Sequence, residues 1–237
     1  MSNVEAVIFD WGGTLTPWHD IDFEAEAMSY AEAYGDRRLA ARFLEMAGAA
    51  WARARDEHSS ATLEQILRNA GADLVGRAHR DGLTAYRSFW EPHTMTDPQV
   101  RQLWEGLHDN GIRVGVLSNT IWDRDYHRGI FQRDGVLDLI DGDVYSSEIP
   151  WTKPHREAFL AAAAAVGASP EACVYVGDRL FEDVHGPQQV GMRAIWIPHS
   201  VLPEAQVVAT EARPDAVAHE LLDVLRVVRD WSAVDDA

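Results

Sequence analysis

Lysine is almost missing from this chain. Lys153 is the only one in 237 residues, and apart from histidine every other basic side chain is arginine. Cysteine is as scarce: Cys173 stands alone, so no internal disulfide can form and a reducing compartment is expected. Its place in the apolar run ACVYV marks it as a small core residue rather than a nucleophile. No stretch approaches the roughly 20 apolar residues of a membrane span, and no basic segment followed by an apolar one marks a leader. A cytoplasmic location away from membranes is expected. Basic residues number 21 against 38 acidic ones, for a formal charge of −17. A chain without a basic face is a poor partner for nucleic acid. An anionic ligand must then be drawn in by a local cation, a metal or a helix N-terminus. There is no internal repeat, and the only low-complexity tract is Ala161–Ala165.

What the chain does have is a strand ending in an acid. Val4–Phe9 is an apolar run broken only by Glu5, and it stops at Asp10, where Gly12-Gly13 allows a sharp turn. Open α/β sheets place their chemistry at such carboxyl ends. From Pro17 to Trp90 the pattern is helical, with Phe43, Leu44, Ala47, Trp51 and Ala54 expected on one buried face. Thr62 and Gln65 have capping-box spacing. Strands and helices alternate thereafter. Asp97-Pro98 starts a helix, and Ile112–Leu117 is a strand running into Ser118-Asn119. A helix falls within Asp123–Gln132, a short strand at Asp143–Tyr145 and an alanine-rich helix at His155–Val166. The strand Cys173–Val176 ends at Gly177-Asp178, a helix runs to about Val190, and Arg193–Ile197 is the next strand. Pro214 is expected to open a final helix with Val217, Leu221, Val224 and Leu225 inward. The pattern predicts an α/β fold, a doubly wound and mainly parallel Rossmann-like sheet. The core comprises 1–16 and 97–237, with a helical cap, 17–96, inserted in it.

Polar groups gather at the strand ends: Asp10, Ser118 with Asn119, Lys153, and Asp178 with Asp183. Three carboxylates on one edge repel unless a cation holds them, and hard oxygen ligands suit magnesium. A lone lysine in so arginine-rich a chain suggests a task for a compact ammonium that a planar guanidinium cannot do.

In order and position, DWGGT, LSNT, the lysine of TKPH and GDRLFED resemble the four motifs of the haloacid dehalogenase-like (HAD) hydrolase superfamily, in its branch with a small helical cap after the first motif. The resemblance implies a Mg2+-dependent phosphatase of a small phosphorylated metabolite. Asp10 would be the nucleophile, forming an aspartyl-phosphate. Asp10, the Gly12 carbonyl and Asp178 would hold the metal, with Asp183 supporting it directly or through water. Ser118 and Asn119 would bind the phosphoryl group, and Lys153 would neutralise its charge. Trp11, with Trp122 and Trp151, would shape an apolar substrate wall. A monomer or homodimer is expected.

The chain departs from the family pattern at Gly12, where most family phosphatases carry a second aspartate. Glycine keeps the carbonyl but supplies no proton, an impairment of a step typically worth ~10²–10⁴-fold. His19, Asp20 or Asp22 could substitute, although Trp18-His19-Asp20 also reads as a linker packing feature. Phosphonate-cleaving relatives need a cap lysine that this chain lacks. Two alternatives stay open: a catalytically weak or inactive binding or regulatory relative, and a 2-haloacid dehalogenase, which needs no metal.

Overall fold

Ala6–Phe9 form β1, and all four residues are buried. In the computed structural model, which describes residues 3–17, 19–200 and 207–235, this strand lies inside a six-stranded sheet. The other strands are β2 (Arg113–Ser118), β3 (Gly142–Tyr145), β4 (Cys173–Gly177), β5 (Arg193–Trp196) and β6 (Ala216–Val217). Their order is β3-β2-β1-β4-β5-β6, and every pairing is parallel. The α/β, doubly wound architecture expected from the sequence is therefore present.

Side chains alternate across each strand, so the sheet buries two layers. Val7, Phe9, Val114, Val116, Val174 and Val176 face one way, in a core shared with α5 (Gln99–His108) and α9 (Leu221–Asp235). Ala6, Ile8, Leu117, Val144 and Tyr175 face the other, against α7 (Arg156–Val166). The alanines of α7 let that helix approach closely. An added Cβ on Gly142 would lie 2.5 Å from the Ala165 main chain.

Between β1 and α5 the chain forms α1 (Phe23–Tyr34), α2 (Leu39–Glu57), α3 (Leu63–Asn69) and α4 (Arg77–Trp90). Asp22 caps α1, and Thr62 and Gln65 make the expected capping box on α3. Tyr30, Phe43 and Tyr86 pack ring against ring inside this helical group. Their apolar cluster continues without a break into the layer beneath the sheet.

Three sequence expectations need correcting. Trp51 is 52% exposed. The buried stripe of α2 runs through Leu39, Ala40, Phe43 and Ala50, and Trp51 lies about 100° round the axis from Ala50. Val217 also faces outward, and Pro214 precedes a strand rather than a helix. Asp215 exchanges main-chain and carboxylate bonds with Ala194, which captures this segment as β6 on the edge of β5. The last helix starts later, where Asp223 accepts from the amides of His219 and Glu220. The stretch expected to be helical up to Val190 is a π-turn, Leu180–His185, followed by the short α8, Gly186–Gln188. α6 (Arg124–Arg133) is capped by Asp123. No helix among the described residues is long and apolar enough to cross a membrane.

Gly142→Ala is expected to destabilise the fold by about 1–3 kcal/mol or more, because the methyl meets helix backbone rather than a movable side chain. Urea unfolding checks this; an unchanged midpoint would mean that α7 can retreat freely.

Candidate active site

The sheet register sets the site. Phe9 lies level with Val116 on one side and Val176 on the other. The next residue, Asp10, therefore emerges between the ends of β2 and β4, its amide donating to the Val176 carbonyl. Ser118 ends β2 and is buried, while Gly177 ends β4 and Asp178 follows it directly.

After Asp10 the chain winds tightly, the amides of Thr14, Leu15 and Thr16 all pointing at the Trp11 carbonyl. The two glycines of this turn differ. Gly13 has φ +84°, and a Cβ there would lie 2.7 Å from Asp178 Oδ2, so only glycine fits. Its carbonyl accepts from His199 Nε2 (2.8 Å) and Ser200 Oγ (2.6 Å), which hold the turn down. Gly12 has no such need: its φ is outside the left-handed region, and a Cβ would have nothing within 4 Å.

Asp183 is delivered by the π-turn. Its main chain folds back so closely that a Cβ on Gly177 would lie 2.4 Å from Asp183 Cγ. Its Oδ2 accepts from the Arg179 amide at 3.0 Å. Lys153 reaches in from the loop after β3. Its Nζ donates to Asp10 Oδ1 (2.6 Å), Asp183 Oδ1 (2.7 Å) and the Tyr175 hydroxyl (2.9 Å). Tyr175 in turn donates to the Leu117 carbonyl at 3.0 Å.

Asp10, Asp178 and Asp183 each offer an oxygen, all within 4.8 Å of one another, and all three are buried. They face one ammonium. Burial alone would lower the Lys153 pKa, but Asp10 and Asp183 hold it well above the ordinary lysine value. Burial raises the Asp10 pKa against the opposing pull of Lys153, and the charge of Asp183 adds to the rise. Asp178 is pushed up to about 8, by burial first and then by Asp10 and Asp183. Neither of its oxygens has a hydrogen-bond partner. A buried carboxylate with nothing to bond is costly, and a hard divalent cation among the three acids would remove that cost. The donor set fits such an ion.

The remaining candidates disperse. Asn119 exchanges both amide groups with the Lys153 main chain (Oδ1 from N, 2.7 Å; Nδ2 to O, 3.0 Å), fixing the loop that carries the lysine. Trp11 packs edge-on to Trp122 and His127. Trp151 goes elsewhere, stacking on His155 at 4.0 Å. Asp22 is taken up by capping α1, Asp20 is exposed, and His19 packs against His93 at 5.0 Å. Trp18 lies outside the described residues. Tyr175 was not picked out from the sequence. Its trace was a single tyrosine in an otherwise aliphatic strand, two residues before Gly177 and so on the same face. His199 and Ser200 left no trace in the pattern.

A strand-end carboxylate, a buried lysine and a paired-acid turn on a parallel sheet are the parts of an α/β hydrolytic site. The family model for haloacid dehalogenase-like hydrolases matches residues 4–191, and the chain belongs to that family. The glyceraldehyde 3-phosphate phosphatase of Pyrococcus furiosus is 36% identical over 172 residues, covering 73% of this chain and 70% of the relative. The phosphoserine phosphatase of Thermus thermophilus is 27% identical over 208 residues, covering 85% and 78%. Among solved structures, the 2-haloacid dehalogenase of Pseudomonas syringae pv. Tomato superposes with a TM-score of 0.67 at 22% identity, covering 96% of this chain and 99% of the other. That likeness concerns the fold alone.

A raised carboxyl pKa means that the folded state keeps a proton the unfolded chain releases. The stability contributed by Asp178 is therefore fully present below about pH 4 and lost as pH rises through about 8. With a chelator present, the melting temperature is expected to fall between pH 6 and 9, and to fall less in Asp178→Asn. Equal slopes in the two proteins would contradict the assigned environment.

Proposed function

We propose that this chain is a magnesium-dependent phosphatase of a small phosphorylated metabolite, acting through Asp10. The observation that carries the proposal is the Asp10, Asp178 and Asp183 triangle around Lys153, in which Asp178 has no partner of its own. A metal-free dehalogenase has no use for that orphaned acid. The phosphatase relatives support the same reaction class. In this reading residues 17–96 are a cap over a core of 1–16 and 97–237, and substrate lies beneath it against Trp11.

Asp10, Asp178 and the Gly12 carbonyl would hold the cation, with Asp183 supporting it directly or through water. When bound, magnesium neutralises charge on the phosphoryl oxygens. Lys153 holds Oδ1 of Asp10, so the other oxygen attacks phosphorus. The bond from phosphorus to the leaving oxygen breaks and an aspartyl-phosphate forms. Lys153 and the Ser118 hydroxyl stabilise the negative charge on the phosphoryl group. Asn119 contributes through the main chain of Lys153. Water then attacks the aspartyl-phosphate, releasing inorganic phosphate and restoring the carboxylate.

No side chain at position 12 donates a proton to the leaving oxygen or takes one from water. Good leaving groups, such as acyl phosphates, therefore react best. Because the Gly12 backbone accepts a Cβ, Gly12→Asp tests this without strain. Its steady-state rate on alkyl phosphates is expected to rise about a hundredfold, the lower end of general acid–base catalysis. An activated substrate should give the wild type a burst of one product per site, followed by slow turnover. Rapid burst-free hydrolysis of alkyl phosphates by the wild type would transfer the proton step to His19 or Asp20.

Asp10→Asn is expected to abolish turnover and to fold normally, and chelator to abolish wild-type turnover. Asp10→Asn with wild-type phosphatase activity would sink the nucleophile. Halide release from a short 2-haloacid in chelator would establish the dehalogenase instead. No turnover by wild type or by folded Gly12→Asp would leave a binding protein.

A further inference from the structure

Lys153 is held at its main chain from two directions. Asn119 grips residue 153 itself. The loop just before it, 149–152, is bonded instead to the helical segment that interrupts the core, at residues 54–60. Ser59 and Trp151 form an antiparallel bridge. The Thr152 amide donates to the His58 carbonyl at 2.9 Å, and the Ser60 amide to the Pro150 carbonyl at 3.2 Å. Two side chains add to this seam: Ser60 Oγ donates to the Ile149 carbonyl at 2.6 Å, and Thr152 Oγ1 to the Ala54 carbonyl at 3.2 Å. Three residues further on, the Leu63 amide donates to the Ile121 carbonyl, in the loop that follows Ser118-Asn119.

The path into this seam is unusual. α2 ends at His58, which has φ +53°, the left-handed region that a side-chain-bearing residue enters at a free-energy cost. That turn sends 58–60 across to the lysine loop. Thr152 is buried, so its bonds are shielded from water.

We infer that Ser60 and Thr152 are positioning residues that make the placement of Lys153 depend on docking of the helical segment. A side chain with four rotatable methylenes finds Asp10 and Asp183 together only if its main chain is fixed. Residues 58–60 fix it one residue upstream, while Leu63 steadies the neighbouring loop. When the helical segment moves as a body, 149–152 must follow it or lose this set of bonds. Lys153 then leaves its partners, and Asp10 and Asp183 lose their bonds to the ammonium. The lysine thus senses closure. The inference rests on the reading of Lys153 as the cation of the site, but on no particular substrate.

The test uses the fact that Lys153 is the only lysine. Reductive methylation of the intact protein, followed by peptide mass spectrometry, reads its ammonium directly and needs no substrate. In the wild type Lys153 is expected to react slowly. Ser60→Ala/Thr152→Val, which removes both side-chain bonds but leaves the backbone bridge, should still melt cooperatively, at a somewhat lower temperature, and react about tenfold faster. Ser60→Thr, which keeps the hydroxyl, should remain protected. In the double variant kcat should fall by about the same factor, with KM within about twofold. Wild-type reactivity of Lys153 in the folded double variant would overturn the inference, whatever its phosphatase activity. A chain inactive on every phosphate, yet showing the reactivity change, would defeat the phosphatase reading alone. If the double variant does not fold, wild-type amide exchange decides. The Lys153 and Thr152 amides should be released by one common opening, and a Lys153 amide that stays protected when Thr152 opens would overturn the coupling.

Discussion

The structure depends most on one buried ammonium. Lys153 bonds to a carboxylate from β1, a carboxylate from the π-turn after β4 and a tyrosine inside β4. Without it, Asp10 and Asp183 would be like charges brought together away from water. A buried charge pair is often no more stabilising than an apolar contact, and removing one partner is severe. The value of the arrangement is therefore orientation. It aims Asp10, bonds Asp183 beside it, and leaves Asp178 as the one acid of these three whose oxygens have no hydrogen-bond partner. Arginine could not do this, since a planar fork would not fit among three acceptors set around a single nitrogen.

Glycine does the corresponding steric work. Gly177 lets the π-turn fold back until Asp183 lies against β4, and Gly13 lets the first turn pass Asp178. Both are required by close approach. Gly12 is not: it has room and an ordinary backbone. The missing acid at position 12 is therefore a chemical feature of this chain, not a by-product of how its backbone must bend.

Much of this was legible in the sequence because parallel sheets put chemistry at strand ends, and strand ends are marked locally. Asp10, Ser118, Lys153, Asp178 and Asp183 each follow a buried run or lie in the loop after one. Where packing among distant segments decides, one-dimensional patterns fail. Trp51 fits a helical stripe but falls just past its buried edge. Val217 looks like the start of a helix until β5 captures Asp215. Tyr175 could be read as core, and is core, yet its hydroxyl serves the lysine. The family resemblance gives Asn119 a phosphoryl-binding role, while its side chain also bonds the main chain of residue 153, a contact that the sequence does not mark. The seam between 58–60 and 149–152 joins residues some ninety positions apart, and neither partner carries a mark of the other.

The burial of the cluster has a further consequence. Asp10, Asp178 and Lys153 are 6%, 5% and 4% exposed, so on the proposed reading a phosphorylated substrate reaches Asp10 only after movement. The sheet holds Asp10 and Asp178 just past the ends of adjacent strands, which on that reading leaves the helical segment as the part that moves. That segment joins the core through two chain crossings, and His19 on one packs against His93 on the other. It is also bonded to the lysine loop through Ser60 and to the loop after β2 through Leu63. Motion about the crossings therefore strains contacts that place the cation of the site. On the proposed reading, an open state that admits substrate is one in which Lys153 is less firmly set, and attack by Asp10 is favoured only after closure restores these bonds.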